Sequence, residues 1–268
     1  MTDFNKQQFY ELLQAPRYYC PVYQRRYVWE QSNVQLLFED LLKLKDKSRY
    51  QCFLGPIVLE HSDTKGIHKE GKHIIDGQQR FTTLILIILA AINEISKQAD
   101  KETAKSELAN SQLLVVTPYL SGQIKFLPSI YDRIELNKVI DLLDLDINRY
   151  EVKPGEEESE KTDTAIQDRF EDIRKLLENE LSIFEPKNSE GKIQWLQDFI
   201  QLITKKVIFA VIQLGPDLDP QEVFDRLNFA GKPLTIEELF RNYTLQKLQT
   251  DDPKILEKCY EDYWLNFE

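Results

Sequence analysis

The 268-residue chain is short of cysteine, of positive charge and of long apolar runs, and each shortage removes a class of function. Its three cysteines, Cys20, Cys52 and Cys259, are far apart and odd in number. That argues against a disulfide framework and a cysteine-based zinc site, and for a reducing compartment. Lys and Arg number 34 against 45 Asp and Glu, a net charge of −11. A protein that grips nucleic acid unaided through many phosphates shows a basic face. Any such contact here is expected to be local, or made by a partner or a further segment. The longest apolar run, residues 84–92, falls short of the roughly 20 residues a membrane span needs and reads as a buried helix. The start, Met1-Thr2-Asp3-Phe4-Asn5, lacks the basic-then-apolar profile of a signal peptide. A cytoplasmic protein without a membrane partner is expected. The composition is otherwise that of an ordinary globular chain, sized for one large domain or two small ones, with no internal repeat.

What is present centres on His73-Ile74-Ile75-Asp76-Gly77-Gln78-Gln79-Arg80-Phe81-Thr82-Thr83-Leu84. The isoleucines have strand character, Gly77 offers a turn position that strains other residues, and a long apolar helix follows. Asp76, Gln78, Gln79 and Arg80 therefore sit where a strand hands over to a helix N-terminus. Free backbone N–H groups and the helix dipole favour an anion there. Arg80 adds a planar fork suited to phosphate, and Asp76 can hold a divalent cation through oxygen. The bland alternative has Asp76 capping the helix and the remaining polar side chains solvated.

Along the chain, residues 4–14 read as a short amphipathic helix ended by Pro16. Residues 18–23 read as β-rich, and Ser32 or Asn33 as the cap of a helix reaching about residue 47. Residues 53–60 and 73–76 read as strands around a charged loop. Gly66-Ile67-His68-Lys69-Glu70-Gly71-Lys72-His73 approaches a phosphate-loop pattern, but His73 replaces Ser or Thr and a strand follows, so it is rejected. Residues 97–112 read as a helix, 113–116 and 123–126 as paired strands, and 132–145 as a helix. Residues 151–160 read as an acidic loop, 164–181 and 192–204 as helices, and 206–214 as a strand. Beyond it, Gly231 reads as a helix stop and Thr235-Ile236-Glu237-Glu238 as a capping box. The last helix runs to Glu268 without a stop signal, as in a fragment of something longer.

Two further stretches are rich in candidate ligands. Tyr23-Gln24-Arg25-Arg26-Tyr27-Val28-Trp29 sets two guanidiniums between aromatics. Asp225-Arg226-Leu227-Asn228-Phe229-Ala230-Gly231-Lys232-Pro233-Leu234 places an amide and an ammonium beside a tight turn. Surface packing and a helix–turn–helix boundary explain part of each, but not Asn228 or Lys232.

Taken in order, these three stretches resemble the GmrSD-type restriction endonuclease N-terminal domain family. The resemblance spans about residues 5–245, with Phe53-Leu54-Gly55-Pro56-Ile57-Val58-Leu59 and Arg241-Asn242 also fitting. It implies an α+β fold: a small mixed ParB/sulfiredoxin-like sheet with helices in residues 1–130, then a mainly helical half in 131–268 that returns one strand. It also implies a nucleoside-triphosphate-binding and hydrolysing module that drives or licenses a nuclease against modified phage DNA. On that resemblance, Asp76, Gln78, Gln79 and Arg80 form the catalytic set and Asp76 binds Mg²⁺. Gln24, Arg25, Gly77, Asn228 and Lys232 hold the nucleotide, with Asn228 and Lys232 folding back over Arg80. Positioning and charge stabilisation suffice for phosphoryl transfer, so no covalent nucleophile is needed.

The His-Asn-His nuclease common in full-length members is not expected in this chain, because His61, His68 and His73 all precede residue 80. The expected partners are a nucleoside triphosphate as substrate, Mg²⁺, a second copy of the chain, and DNA reached through a C-terminal nuclease segment or a partner subunit. A non-hydrolytic nucleotide or DNA sensor and a ParB-like nuclease stay open as alternatives.

Overall fold

The computed structural model describes residues 3–21, 24–45, 50–61, 71–115, 122–152, 165–215 and 218. Along the chain these form β1 (Asp3–Gln8), α1 (Phe9–Leu12), β2 (Tyr18–Tyr19), α2 (Gln31–Lys45), β3 (Cys52–His61) and β4 (Lys72–Asp76). Then come α3 (Gln78–Gln98), α4 (Lys101–Asn110), β5 (Phe126–Leu127), α5 (Ile130–Leu143), α6 (Ala165–Leu181), α7 (Ser189–Lys206) and β6 (Val207–Leu214). The fold is α+β, as expected.

One mixed six-stranded sheet runs in the order β1-β6-β3-β4-β2-β5. β6 lies antiparallel to β1 and parallel to β3, so a strand from late in the described chain sits inside the sheet. β4 is antiparallel to β3 and parallel to β2, and β2 is parallel to β5. The two ends of the described chain thus close one edge together.

The N-terminus corrects the sequence reading. Residues 3–8 form a strand, Asp3↔Gln213 through Gln8↔Ile208, and only Phe9–Leu12 is helical. The spacing of Phe4, Phe9, Leu12 and Leu13 looks helical, but a six-residue ladder to a distant strand outweighs weak local propensity. The entry to α2 also differs. That helix opens at Gln31, and Asn33 reaches back to accept the Glu30 N–H at 3.0 Å instead of standing at the cap itself. Residues 113–115 and 123–125 do approach as expected, through an isolated Leu114↔Ile124 bridge, whereas β5 pairs with β2.

The core is organised on α3, which is buried from Gln78 to Ile95 except for Arg80. It packs against α4, α6 and α7 and shares one core with the inner face of the sheet. Phe81, in its first turn, meets Phe9, Tyr18 and Phe126 at ring distances of 5.3, 5.0 and 5.5 Å. The strands alternate as a two-faced sheet demands. Ile57, Leu59, Ile74, Phe209 and Val211 join the main core, while Val58, Ile75 and Leu214 form a smaller cluster on the other face. At 21 residues α3 is long and apolar enough to cross a membrane, but 83% of that window is buried inside the fold. Its burial, and not the shortness of the apolar run, marks it as a core helix.

Candidate functional site

Strand β4 ends at Asp76, and the chain turns into α3 through Gly77 alone. Gly77 has φ 102° and stands at the helix N-cap, with no side chain capping the first turn. The Phe81 N–H is the first to reach back, to Gly77 O at 3.0 Å. The preceding N–H groups of Gln78, Gln79 and Arg80 have no intrahelical acceptor, which leaves the positive end of a 21-residue helix uncapped. Asp76 is therefore not the cap. Gly77 is required by its φ, and a Cβ there would also make a tight approach, 3.2 Å, to Ile57 Cγ1. Gly77→Ala is expected to lower stability by about 1–2 kcal/mol, the cost of a left-handed non-glycine residue, measured by urea unfolding.

Asp76 is engaged elsewhere. Arg80 Nη2 donates to Asp76 Oδ2 at 3.0 Å, one turn along the helix. Arg80 Nη1 donates to the Leu54 carbonyl. That acceptor lies where the β3–β6 register shifts between Phe53 and Pro56. Gly55, at φ 87°, makes the bulge and leaves room for the guanidinium: a Cβ there would stand 2.7 Å from Arg80 Nη1. The Gly-Pro bend of the sequence thus serves as the seat of Arg80. Burial pulls Arg80 below its ordinary value and Asp76 opposes this; a guanidinium stays charged regardless. Both side chains keep part of their surface open, at 21% for Arg80 and 28% for Asp76.

Residues 24–28 form a strap over this junction. Gln24, only 1% exposed, donates from Nε2 to the Ile75 carbonyl at 2.7 Å, one residue before Asp76. Gln79 grips the strap from the helix. Its Oε1 accepts the Val28 N–H at 2.9 Å and its Nε2 donates to the Arg26 carbonyl at 3.0 Å. Between them, the Tyr27 N–H lies 3.0 and 3.1 Å from the two carboxylate oxygens of Asp132 on α5. Tyr27 itself is buried, and its hydroxyl pairs with Thr83 Oγ1 at 2.8 Å. Burial pushes the Asp132 carboxyl up to about 6. The Tyr27 N–H, Ser129, Arg26 and Arg133 pull it the other way.

The expected site residues divide accordingly. Asp76, Gly77, Gln78, Gln79, Arg80, Gln24 and Arg25 come together at one strand–turn–helix junction. The Gln79 amide is committed to backbone groups, and that of Gln24 to the Ile75 carbonyl and the Cys20 thiol, so they hold the junction in shape. Gln78 is 7% exposed and makes no side-chain hydrogen bond among the described residues, and neither does Arg25. Arg25 is fixed at its flanks, by Gln24 to Ile75 and by Arg26 to Gln79, which places its backbone beside the Asp76–Gln78 turn. Asn228 and Lys232, like Gly231 and the Thr235 capping sequence, lie outside the described residues. Sequence reasoning missed Asp132, Thr83 and the Leu54 carbonyl. Ser129 and Asp132 carry the spacing of a capping box, but the carboxylate is used on Tyr27, across the fold.

Among the described residues no three His, Cys, Asp or Glu side chains gather as a metal cage. Asp76 offers one carboxylate, with Oδ2 turned to Arg80. A single carboxylate is compatible with a hydrated Mg²⁺, which keeps several waters and needs one or two carboxylates from protein. Against known proteins, the family model for the N-terminal domain of GmrSD restriction endonuclease matches residues 9–245. The match covers the strap, the Gly55 bulge and the Asp76–Arg80 turn together. No curated protein matches the chain.

Proposed function

The chain belongs to the GmrSD restriction endonuclease N-terminal domain family, and on that premise we propose that it is the nucleoside-triphosphate-binding and hydrolysing module of a DNA restriction system. The observation that carries this reading is the uncapped N-terminus of α3, with Arg80 held there by Leu54 O and Asp76, and Arg25 beside it without a side-chain partner among the described residues. Main-chain N–H groups at a helix start, a guanidinium fork and a second cation are what a polyphosphate requires. In a chain of net charge −11 such a local site is selective for a compact anion over a long nucleic-acid backbone.

Within the site, Arg80 holds a terminal phosphate oxygen while Leu54 O and Asp76 fix its plane. Arg25 neutralises charge on the outer phosphates. Gln78, whose amide makes no hydrogen bond among the described residues, orients the attacking water without acting as a base. Asp76 would hold Mg²⁺, which would supply charge neutralisation for the phosphates. Gln24 and Gln79 touch no substrate and act by fixing the strap. Asn228 and Lys232 are assigned to nucleotide binding.

A second reading, a triphosphate sensor that does not turn over, is favoured by the same amide, since Gln78 cannot remove a proton from water. Phosphate release from a panel of nucleoside triphosphates with Mg²⁺ separates the two. The hydrolytic reading expects release that stops when Mg²⁺ is chelated. Thermal stabilisation by the same nucleotides without release selects the sensor.

A further inference from the structure

The strap that presents Arg25 is pinned from three directions, and one pin comes from a residue outside the three stretches that the sequence singles out. Gln24 ties its start to β4, Gln79 ties Arg26 and Val28 to α3, and Asp132 takes the Tyr27 N–H between them. We propose that Asp132 is a positioning residue of the phosphate site, holding Tyr27 so that Arg25 stands beside the α3 N-terminus. Its functional half rests on the triphosphate reading; its structural half does not.

The geometry makes Asp132 the member of the set that the others cannot replace. Gln79 leaves the Tyr27 N–H unpaired, because its two amide atoms are spent on the neighbouring residues. Asp132 is 9% exposed and both its oxygens address that one N–H. Without it a buried donor loses its partner, which the strap can cure only by moving Tyr27 toward water. Tyr27 is tied through its hydroxyl to Thr83, one turn beyond Gln79 on α3, so a shift of Tyr27 strains the grip of α3 on the strap. Arg25, two residues earlier and without a side-chain anchor among the described residues, follows the backbone.

The groups around this carboxylate are Arg26 and the Tyr27 N–H from the strap, and Ser129, Arg133 and Glu135 from α5 and its cap. Arg169 on α6 acts on Tyr27 from the far side. The Tyr27 N–H favours the ionised form of Asp132, so by linkage the ionised form favours the bond. As pH falls through about 6 the carboxyl takes up a proton and the charge-assisted bond weakens. Strap order and triphosphate affinity are therefore expected to fall together on acidification.

The test uses the whole chain as wild type, Asp132→Ala and Asp132→Asn. Hydrogen exchange of the Tyr27 and Val28 amides is read first, with α7 amides as the internal reference. Asp132→Ala is expected to speed Tyr27 exchange relative to α7 by about tenfold or more, the worth of one bond to a charged group. Asp132→Asn keeps one acceptor and the fold, and is expected to recover part of that protection. The ratio of triphosphate Kd for Asp132→Asn and wild type, at matched pH, is expected to shrink as pH falls below about 6. Unchanged Tyr27 exchange in both variants overturns the proposal, as does a Kd ratio flat from acid to neutral pH. If wild type binds no triphosphate while Tyr27 exchange changes as expected, Asp132 positions the strap and the triphosphate reading alone fails.

Discussion

Arg80→Ala is expected to lower nucleoside-triphosphate affinity by about ten- to a hundredfold, as loss of a charge-assisted phosphate contact worth about 1.5–3 kcal/mol demands. The plane of the guanidinium is set from both sides, by the Leu54 carbonyl and by Asp76. Removing it takes away the phosphate contact and leaves Asp76 as an uncompensated negative charge facing the incoming phosphates. Arg80→Lys is expected to fail nearly as badly, because an ammonium has no fork with which to reach both anchors and a phosphate. Gly55→Ala approaches the same site from below: its Cβ would press on Arg80 Nη1 from 2.7 Å, so affinity is expected to drop with every charge still present. Titration calorimetry on the three variants checks the set. Full affinity in Arg80→Ala removes Arg80 from the site.

Phe81→Ala is expected to cost about 3–5 kcal/mol of stability, the range for truncating a large buried aromatic. Phe81 has no exposed surface and its ring contacts Phe9, Tyr18 and Phe126, which lie on α1, β2 and β5. It therefore joins the N-terminal elements, the far edge of the sheet and the core helix in one cluster. The neighbouring aromatics are themselves held, Tyr18 by a hydroxyl bond to the Leu12 carbonyl at 2.8 Å, so the cavity cannot collapse freely. Leu36→Ala, on an exposed part of α2 at 62% exposure, serves as the control and is expected to change stability by less than about 0.5 kcal/mol. Equal midpoints for the two variants in chemical denaturation would contradict this account of the core.

The position of Phe81 directly after Arg80 explains why the junction reads so clearly from sequence. A strand of β-branched residues, a glycine turn and an apolar helix are local patterns, and each element forms close to where its residues place it. The helices α4 to α7 and the β6 strand were legible for the same reason. β1 was not. Its six residues carry no alternation strong enough to announce a strand, and their conformation is set by β6, some two hundred residues away along the chain.

The site divides along the same line. That Asp76, Gln78, Gln79, Arg80, Gln24 and Arg25 belong together is legible from the three stretches and the family they resemble. Which of them remain free to meet a ligand is not. A glutamine amide suits a phosphate and a peptide group equally well, and only the fold shows Gln24 bound to Ile75 and Gln79 bound to Arg26 and Val28. Asp132 was hidden for a related reason. At the start of an amphipathic helix an aspartate reads as a cap, and its use on Tyr27 depends on a contact across 105 residues.

The central claim, that the uncapped start of α3 and the strap beside it form a polyphosphate site, is met most directly by amide chemical shifts. Mg²⁺ and a nucleoside triphosphate are titrated into ¹⁵N-labelled protein while the amides of Arg25, Gln78, Gln79 and Arg80 are followed. The account predicts that these four move together with one saturating dissociation constant, and that the α7 amides do not move with them. Saturable shifts confined to other parts of the chain, with these four amides unmoved, would contradict it.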